Sequence, residues 1–260
     1  MTLALTDDER GMLDGAEGPG TALAMRILVG VARAMQAPRM LPITGAHVDA
    51  CVYYGQAGLD FGERLVELGA QVRVPTTLNI GLVDLLHPEL VQLDPAEADR
   101  ARRQMRAYAA LGGRPTYTCA PYQLPFQRPG VGEQVAWAES NAIVFVNSVL
   151  GARTNRYGDF VDIAAAVCGR VPDAGLHRTE ARRGQVVFDV SGLSDALLRS
   201  DVLAPILGLL VGAEVGEEIP VIVGLPADTS EDALKAIGAG AASSGAVALF
   251  HAVGVTPEAP

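Results

Sequence analysis

Apolar positions along the 260-residue chain alternate between two spacings, and that alternation predicts the architecture. Leu23, Ile27, Val31 and Met35 recur at intervals of about four, one stripe of a helix over 21–36. Ahead of it, Thr6 followed by Glu9 has the spacing of a capping box, so a short helix starts there, with Gly18, Pro19 and Gly20 as its breaker. PRMLPITGAHVD then reads as a short strand ending in Gly45, Ala46 and His47, and LDFGERLVELGAQVRVPTTLN as a helix, a Gly69 cap and a strand. Residues 95–111 open with Pro95 and place acids before bases, as the helix dipole favours.

The second half repeats the alternation. GGRPTYTCAPYQ reads as a strand or extended turn, and AIVFV within ESNAIVFVNSVLGARTNRYGDF as a buried strand. A helix follows near DFVDIAAAVCGRV and a strand pair near HRTEARRGQVVFDVSG. From 193 onward helix and strand alternate to the end, without an internal repeat. The expected class is α/β.

Composition narrows the function. Thirty acidic against twenty basic residues give a net charge of −10, which repels phosphate backbones and argues against nucleic acid as a partner. MTLALTDDERGML lacks the basic and apolar regions of a secretory signal, and no apolar run approaches membrane-spanning length, so a soluble cytoplasmic protein without membrane attachment is expected. Cys51, Cys119 and Cys168 are too widely spaced for a disulfide framework or a local zinc motif. Cys51 and Cys168 sit in apolar surroundings and read as buried thiols.

Polar groups gather in four stretches expected just beyond strands: TGAHVD, TTLN, TYTCAPY, and ESN with its NSVLGARTNRYGD tail. In α/β proteins ligands bind where strands end, so the four together suggest one site. His47 with Asp49 is suited to donate or relay a proton near pH 7, and otherwise to anchor a loop. Glu139 suits an ammonium or a leaving hydroxyl. Arg153 and Arg156 suit a carboxylate, and otherwise a surface ion pair.

In this order and spacing, TGAHVD, PTTLN, TYTCAPYQ, WAESNAIVFVNSVLGARTNRYGDF and FHAVGVTPEA resemble the aconitase X family over nearly the whole chain. The resemblance implies aconitase-like three-layer α/β domains, truncated at the C-terminal end, with residues 1–260 forming an incomplete catalytic or large-subunit region and an internal boundary near 190. It implies an iron–sulfur hydro-lyase acting on a small hydroxy acid: cis-3-hydroxy-L-proline in bacterial members, 5-phosphomevalonate in archaeal ones. Carried over, it makes Cys119 a ligand of a 2Fe–2S or 4Fe–4S cluster, and Gly45, Ala46, His47, Asn79, Glu139 and Ser140 the pocket lining, with His47 and Glu139 catalytic.

The same resemblance implies further length bearing the other cluster cysteines, and a small swivelling subunit or fused domain bearing a catalytic serine. An isolated chain of this extent is therefore expected to be inactive. The competing reading is a non-catalytic subunit for small-acid binding or assembly. A nucleotide-dependent enzyme is disfavoured, because neither GxGxxG nor a Walker loop is present.

Overall fold

The computed structural model describes residues 3–259. In chain order its elements are α1 (Asp7–Asp14), α2 (Pro19–Ala34), β1 (Met40–Pro42), β2 (Ala46–Val48), α3 (Gln56–Glu67), β3 (Thr76–Leu78), α4 (Pro95–Ala110), β4 (Ala136–Trp137) and α5 (Ser140–Ser148). They continue with α6 (Asp159–Cys168), β5 (Arg170–Pro172), β6 (Val186–Asp189), α7 (Asp195–Leu198), α8 (Leu203–Val215), β7 (Pro220–Val223), α9 (Glu231–Ser244) and β8 (His251–Ala252). Two compact units share these elements, and each draws on several stretches of chain. The first holds residues up to Pro121, then Val135–Glu139 and Tyr157–Ala174; the second holds Tyr122–Gln134, Ser140–Arg156 and Gly175 onward.

The first unit is built on a parallel sheet in the order β3-β2-β4, with Val48 opposite Leu78 and His47 opposite both Thr77 and Trp137. Alternation along β2 sends Ala46 and Val48 into a core with Met25 and Leu28 of α2 and Ile163 and Ala166 of α6. His47 faces the other way. β1 pairs antiparallel with β5 as a separate ribbon. The capping box forms as expected: Thr6 Oγ1 accepts the Glu9 N–H at 3.2 Å, and Glu9 Oε2 accepts the Thr6 N–H at 2.9 Å. The helix ends earlier than expected, at left-handed Gly15 (φ 90°), and Pro19 opens α2 instead of breaking α1.

The second unit has a parallel sheet in the order β6-β7-β8. Helices α8 and α9 pack at a distance only glycine permits: a Cβ on Gly208 would stand 2.2 Å from the Ile237 carbonyl oxygen. Two expectations fail here. AIVFV is not a strand but the middle of α5, buried from Ala142 to Ser148. HRTEARRGQVVFDVSG yields one strand, β6, because Thr179–Arg182 winds into a 3-10 turn. None of the described helices is long and apolar enough to cross a membrane.

Candidate active site

Three parallel strands of the first unit end side by side, and the polar residues that follow them are tied together. Asp49 follows β2, Asn79 follows β3, and Ala138 and Glu139 follow β4. The Asn79 N–H donates to the Val48 carbonyl at 2.9 Å, and the Ala138 N–H to the His47 carbonyl at 2.9 Å, so the sheet ladder fixes both exits. Asn79 Nδ2 donates to Asp49 Oδ1 across the two strand ends. The loop bearing Cys119 hangs from the same edge: Thr116 Oγ1 donates to the Leu78 carbonyl at 3.0 Å, and Thr118 Oγ1 accepts the Ala120 N–H at 3.1 Å. Cys119 is exposed on that loop. Tyr117 (φ 44°) and Glu139 (φ 72°) hold left-handed backbone conformations that side chains seldom adopt, a form of strain that concentrates at functional loops.

The electrostatics are dominated by burial. His47 is fully buried, its Nδ1 2.9 Å from Thr77 Oγ1 and its ring edge-on to Trp137 at 6.2 Å. Desolvation lowers its pKa to about 3, so the imidazole is neutral near pH 7. A neutral ring can still relay a proton, accepting at one nitrogen and donating from the other. What it offers is a hydrogen-bonding ring whose Nε2, like Asn79 Oδ1, is buried without a partner among the described residues. Burial pushes the Asp49 carboxyl up, the Asn79 hydrogen bond opposes this, and the charges of Asp159 and Glu139 add to the rise.

The structure thus brings His47, Asn79, Glu139 and the Cys119 loop to one sheet. It moves other residues from their expected places. TGAHVD and TTLN are not loops beyond strands: Gly45 and Ala46 are buried at the start of β2, and TTL is β3 itself. Ser140 begins a helix rather than a strand and belongs to the second unit. Arg153 also lies there. It pairs with Glu258 at 3.3 Å and donates to Thr179 Oγ1 at 2.9 Å and the His177 carbonyl at 3.3 Å, so its guanidinium is engaged within the fold. Arg156 reaches the Gly245 carbonyl at 3.4 Å.

The polar crowd after AIVFV has a structural use. Asn147 is fully buried, donates to the Thr154 and Ala248 carbonyls, and accepts from the Thr154 N–H and from Arg182 Nη1. Ser148 Oγ accepts the Phe250 N–H at 2.9 Å, and Asn155 Oδ1 the Leu176 N–H at 2.7 Å. Arg182, which sequence reasoning passed over, is buried at the centre of this network and pairs with Glu258.

Cys51 and Cys168 are fully buried, as expected, with thiols pushed up by desolvation, Cys168 to about 12. Neither is a ready thiolate ligand. Among the described residues no group of three or more His, Cys, Asp or Glu is arranged to hold a metal ion. Cys119 has the softness and exposure of an iron–sulfur ligand, but one thiol falls short of the three or four such a cluster requires.

A parallel α/β unit with strained polar loops at its strand ends has the layout at which such proteins bind small molecules. Comparison with known proteins goes further. Residues 2–180 match the aconitase X first domain and residues 184–260 the aconitase X second domain, and the chain belongs to the aconitase X family. It is 46% identical over 253 residues to the cis-3-hydroxy-L-proline dehydratase of Pseudomonas aeruginosa, covering 97% of this chain and 43% of that protein. It is 42% identical over 252 residues to the phosphomevalonate dehydratase large subunit of Methanothermobacter thermautotrophicus, covering 96% and 61%. The crystal structure of Thermococcus kodakaraensis aconitase X in its holo-form matches with a TM-score of 0.87 at 35% identity, covering 98% of this chain and 63% of that one. The chain thus spans less than half of the first relative and under two thirds of the others.

Proposed function

We propose that this chain supplies the first two domains, meeting between residues 180 and 184 rather than near 190, of a cytoplasmic hydro-lyase that dehydrates a small hydroxy acid, cis-3-hydroxy-L-proline before 5-phosphomevalonate. The observation that carries the reading is the convergence of Asn79, Glu139 and the Cys119 loop at the ends of adjacent parallel strands, with His47 inside the central one, in a chain with dehydratases among its relatives. The preference for the proline acid rests on the higher identity, 46% against 42%.

In this reading the buried amide of Asn79 and the neutral ring of His47 orient the substrate, and their unpartnered acceptor and ring nitrogen are completed by its polar groups. Glu139 handles a proton or holds the substrate ammonium. The resemblance adds Ser140, next in the chain, and Gly45 and Ala46, whose burial restricts them to shaping the site through the backbone. Arg153 is left out, because Glu258 already neutralises it. An iron–sulfur cluster would act as a Lewis acid on the hydroxyl, with Cys119 as one ligand and the others from outside these residues. A small swivelling subunit or fused domain is the proposed partner.

The test joins the chain to the remaining length of the Pseudomonas aeruginosa relative and follows loss of each hydroxy acid after anaerobic supply of iron and sulfide. Turnover that falls about 10²-fold or more in Glu139→Gln, with the unfolding temperature little changed, supports the reading. A completed protein that forms a cluster but turns over neither acid abandons it in favour of a binding or assembly subunit.

A further inference from the structure

Helix α6 reads DFVDIAAAVC, and every residue from Asp162 to Cys168 is buried. A carboxylate amid those alanines costs far more than another alanine unless it is hydrogen-bonded. Both of its oxygens are. Oδ1 accepts the Ile163 N–H at 2.5 Å, which locks the side chain against its own helix, and Oδ2 accepts the Asp49 N–H at 2.8 Å, more than a hundred residues away in the chain. Asp49 in turn holds the side-chain amide of Asn79, whose backbone N–H is fixed to Val48. One buried carboxylate therefore ties the ends of β2 and β3 to a helix of the core.

We propose that Asp162 is a positioning residue: by gripping the Asp49 backbone it sets where Asn79 presents its side chain to substrate. This rests on the reading of Asn79 as a pocket residue. An alanine would satisfy α6 equally well but could accept neither bond, and a serine has one oxygen where Asp162 uses two to reach the helix and the loop. Burial holds the Asp162 carboxyl well above the usual range, and the two N–H groups oppose that rise.

The experiment uses the completed enzyme. Asp162→Asn keeps the volume but turns one acceptor oxygen into a donor, so one of the two backbone N–H groups loses its partner. The expected result is a fall in kcat/KM of about 10-fold or more, since small displacements at a site are costly. The double variant with Asn79→Ala should lose little beyond Asn79→Ala alone, because both changes act through one side chain. Hydrogen exchange at the Asp49 amide should quicken while that of α2 stays as it was. Losses that multiply in the double variant, or unchanged exchange at Asp49, overturn the inference while the functional reading stands. Absence of turnover in the unaltered enzyme overturns both. Should Asp162→Asn fail to fold, the Asp49 amide of the unaltered protein decides: protection equal to the interior of α6 supports the tie, and rapid exchange refutes it.

Discussion

Replacing Arg182 with alanine should be the most damaging single change in the second unit. The residue is 4% exposed, and its guanidinium donates to Asn147 Oδ1 at 2.9 Å, to the carbonyls of Asn147, Leu176 and Ala152 at 3.0, 3.0 and 3.3 Å, and to Glu258 at 2.6 Å. The Asn147 carbonyl belongs to the last turn of α5, so Arg182 also caps that helix at the end where a cation is favoured. Asn147 Oδ1 keeps the Thr154 N–H, and Glu258 keeps Arg153. The three backbone carbonyls have no such reserve, and each unsatisfied acceptor costs on the order of 1 kcal/mol. That sum, roughly 3 kcal/mol, meets the lower end of the ~3–5 kcal/mol measured when one partner of a buried ion pair is removed. Urea unfolding of the chain and of Arg182→Ala gives the difference directly. Arg199→Ala is the control: Arg199 pairs with Asp195 and Asp228 at 51% side-chain exposure, and its loss should stay within about 0.5 kcal/mol. A cost for Arg182→Ala below about 1 kcal/mol would refute the view that this network holds the unit together.

In the folded chain a thiol reagent should modify exposed Cys119 and spare Cys51 and Cys168 until denaturant is added, as mass spectrometry of the alkylated protein can show. Rapid labelling of all three would contradict their burial. Cys119→Ser should abolish cluster absorbance in the completed enzyme, whereas equal loss in Cys51→Ser would move the ligand elsewhere. His47 is held at about 3 by burial against 6.5 when free, so the unfolded chain binds the extra proton and stability falls as pH drops from 6.5 towards 3. Asp49 and Asp162, raised by burial, act oppositely and lose stability as pH rises through their folded values. The His47 contribution is therefore read as the difference between the chain and His47→Gln, which should shrink by about 1.4 kcal/mol per pH unit on acidification; a flat difference would mean the ring is not buried neutral.

Where local chemistry decides structure, the sequence was readable. The Thr6–Glu9 box needs only its own four residues, and Asp94 and Pro95 start α4 by the same logic, with the Asp94 side chain accepting from Ala96 and Glu97. α5 was misread because a helix buried on every side carries no polar stripe, and its Ile and Val residues favour strands until packing overrules them. The site was legible through motifs that resemble a family, and its mechanics were not. Asp162 looks like an ordinary acid in a helix's first turn, and only the folded path from Asp49 shows what it holds. Likewise nothing local distinguishes the asparagines and threonines that pin a fold from those that meet a ligand.

The interleaving of the two units has a consequence for how the chain emerges from a ribosome. The first unit has all its segments once Ala174 is made. Arg153 is synthesised before that point, yet its ionic partner Glu258 arrives 105 residues later, and Arg182 waits 76 residues for the same carboxylate. At translation speeds of roughly 5–20 residues per second, those polar segments remain without their final anchors for about 5–20 s, although the first unit already has every segment it needs to condense. Codon choice between the two positions, or a chaperone met during that interval, would then govern yield without altering the finished protein.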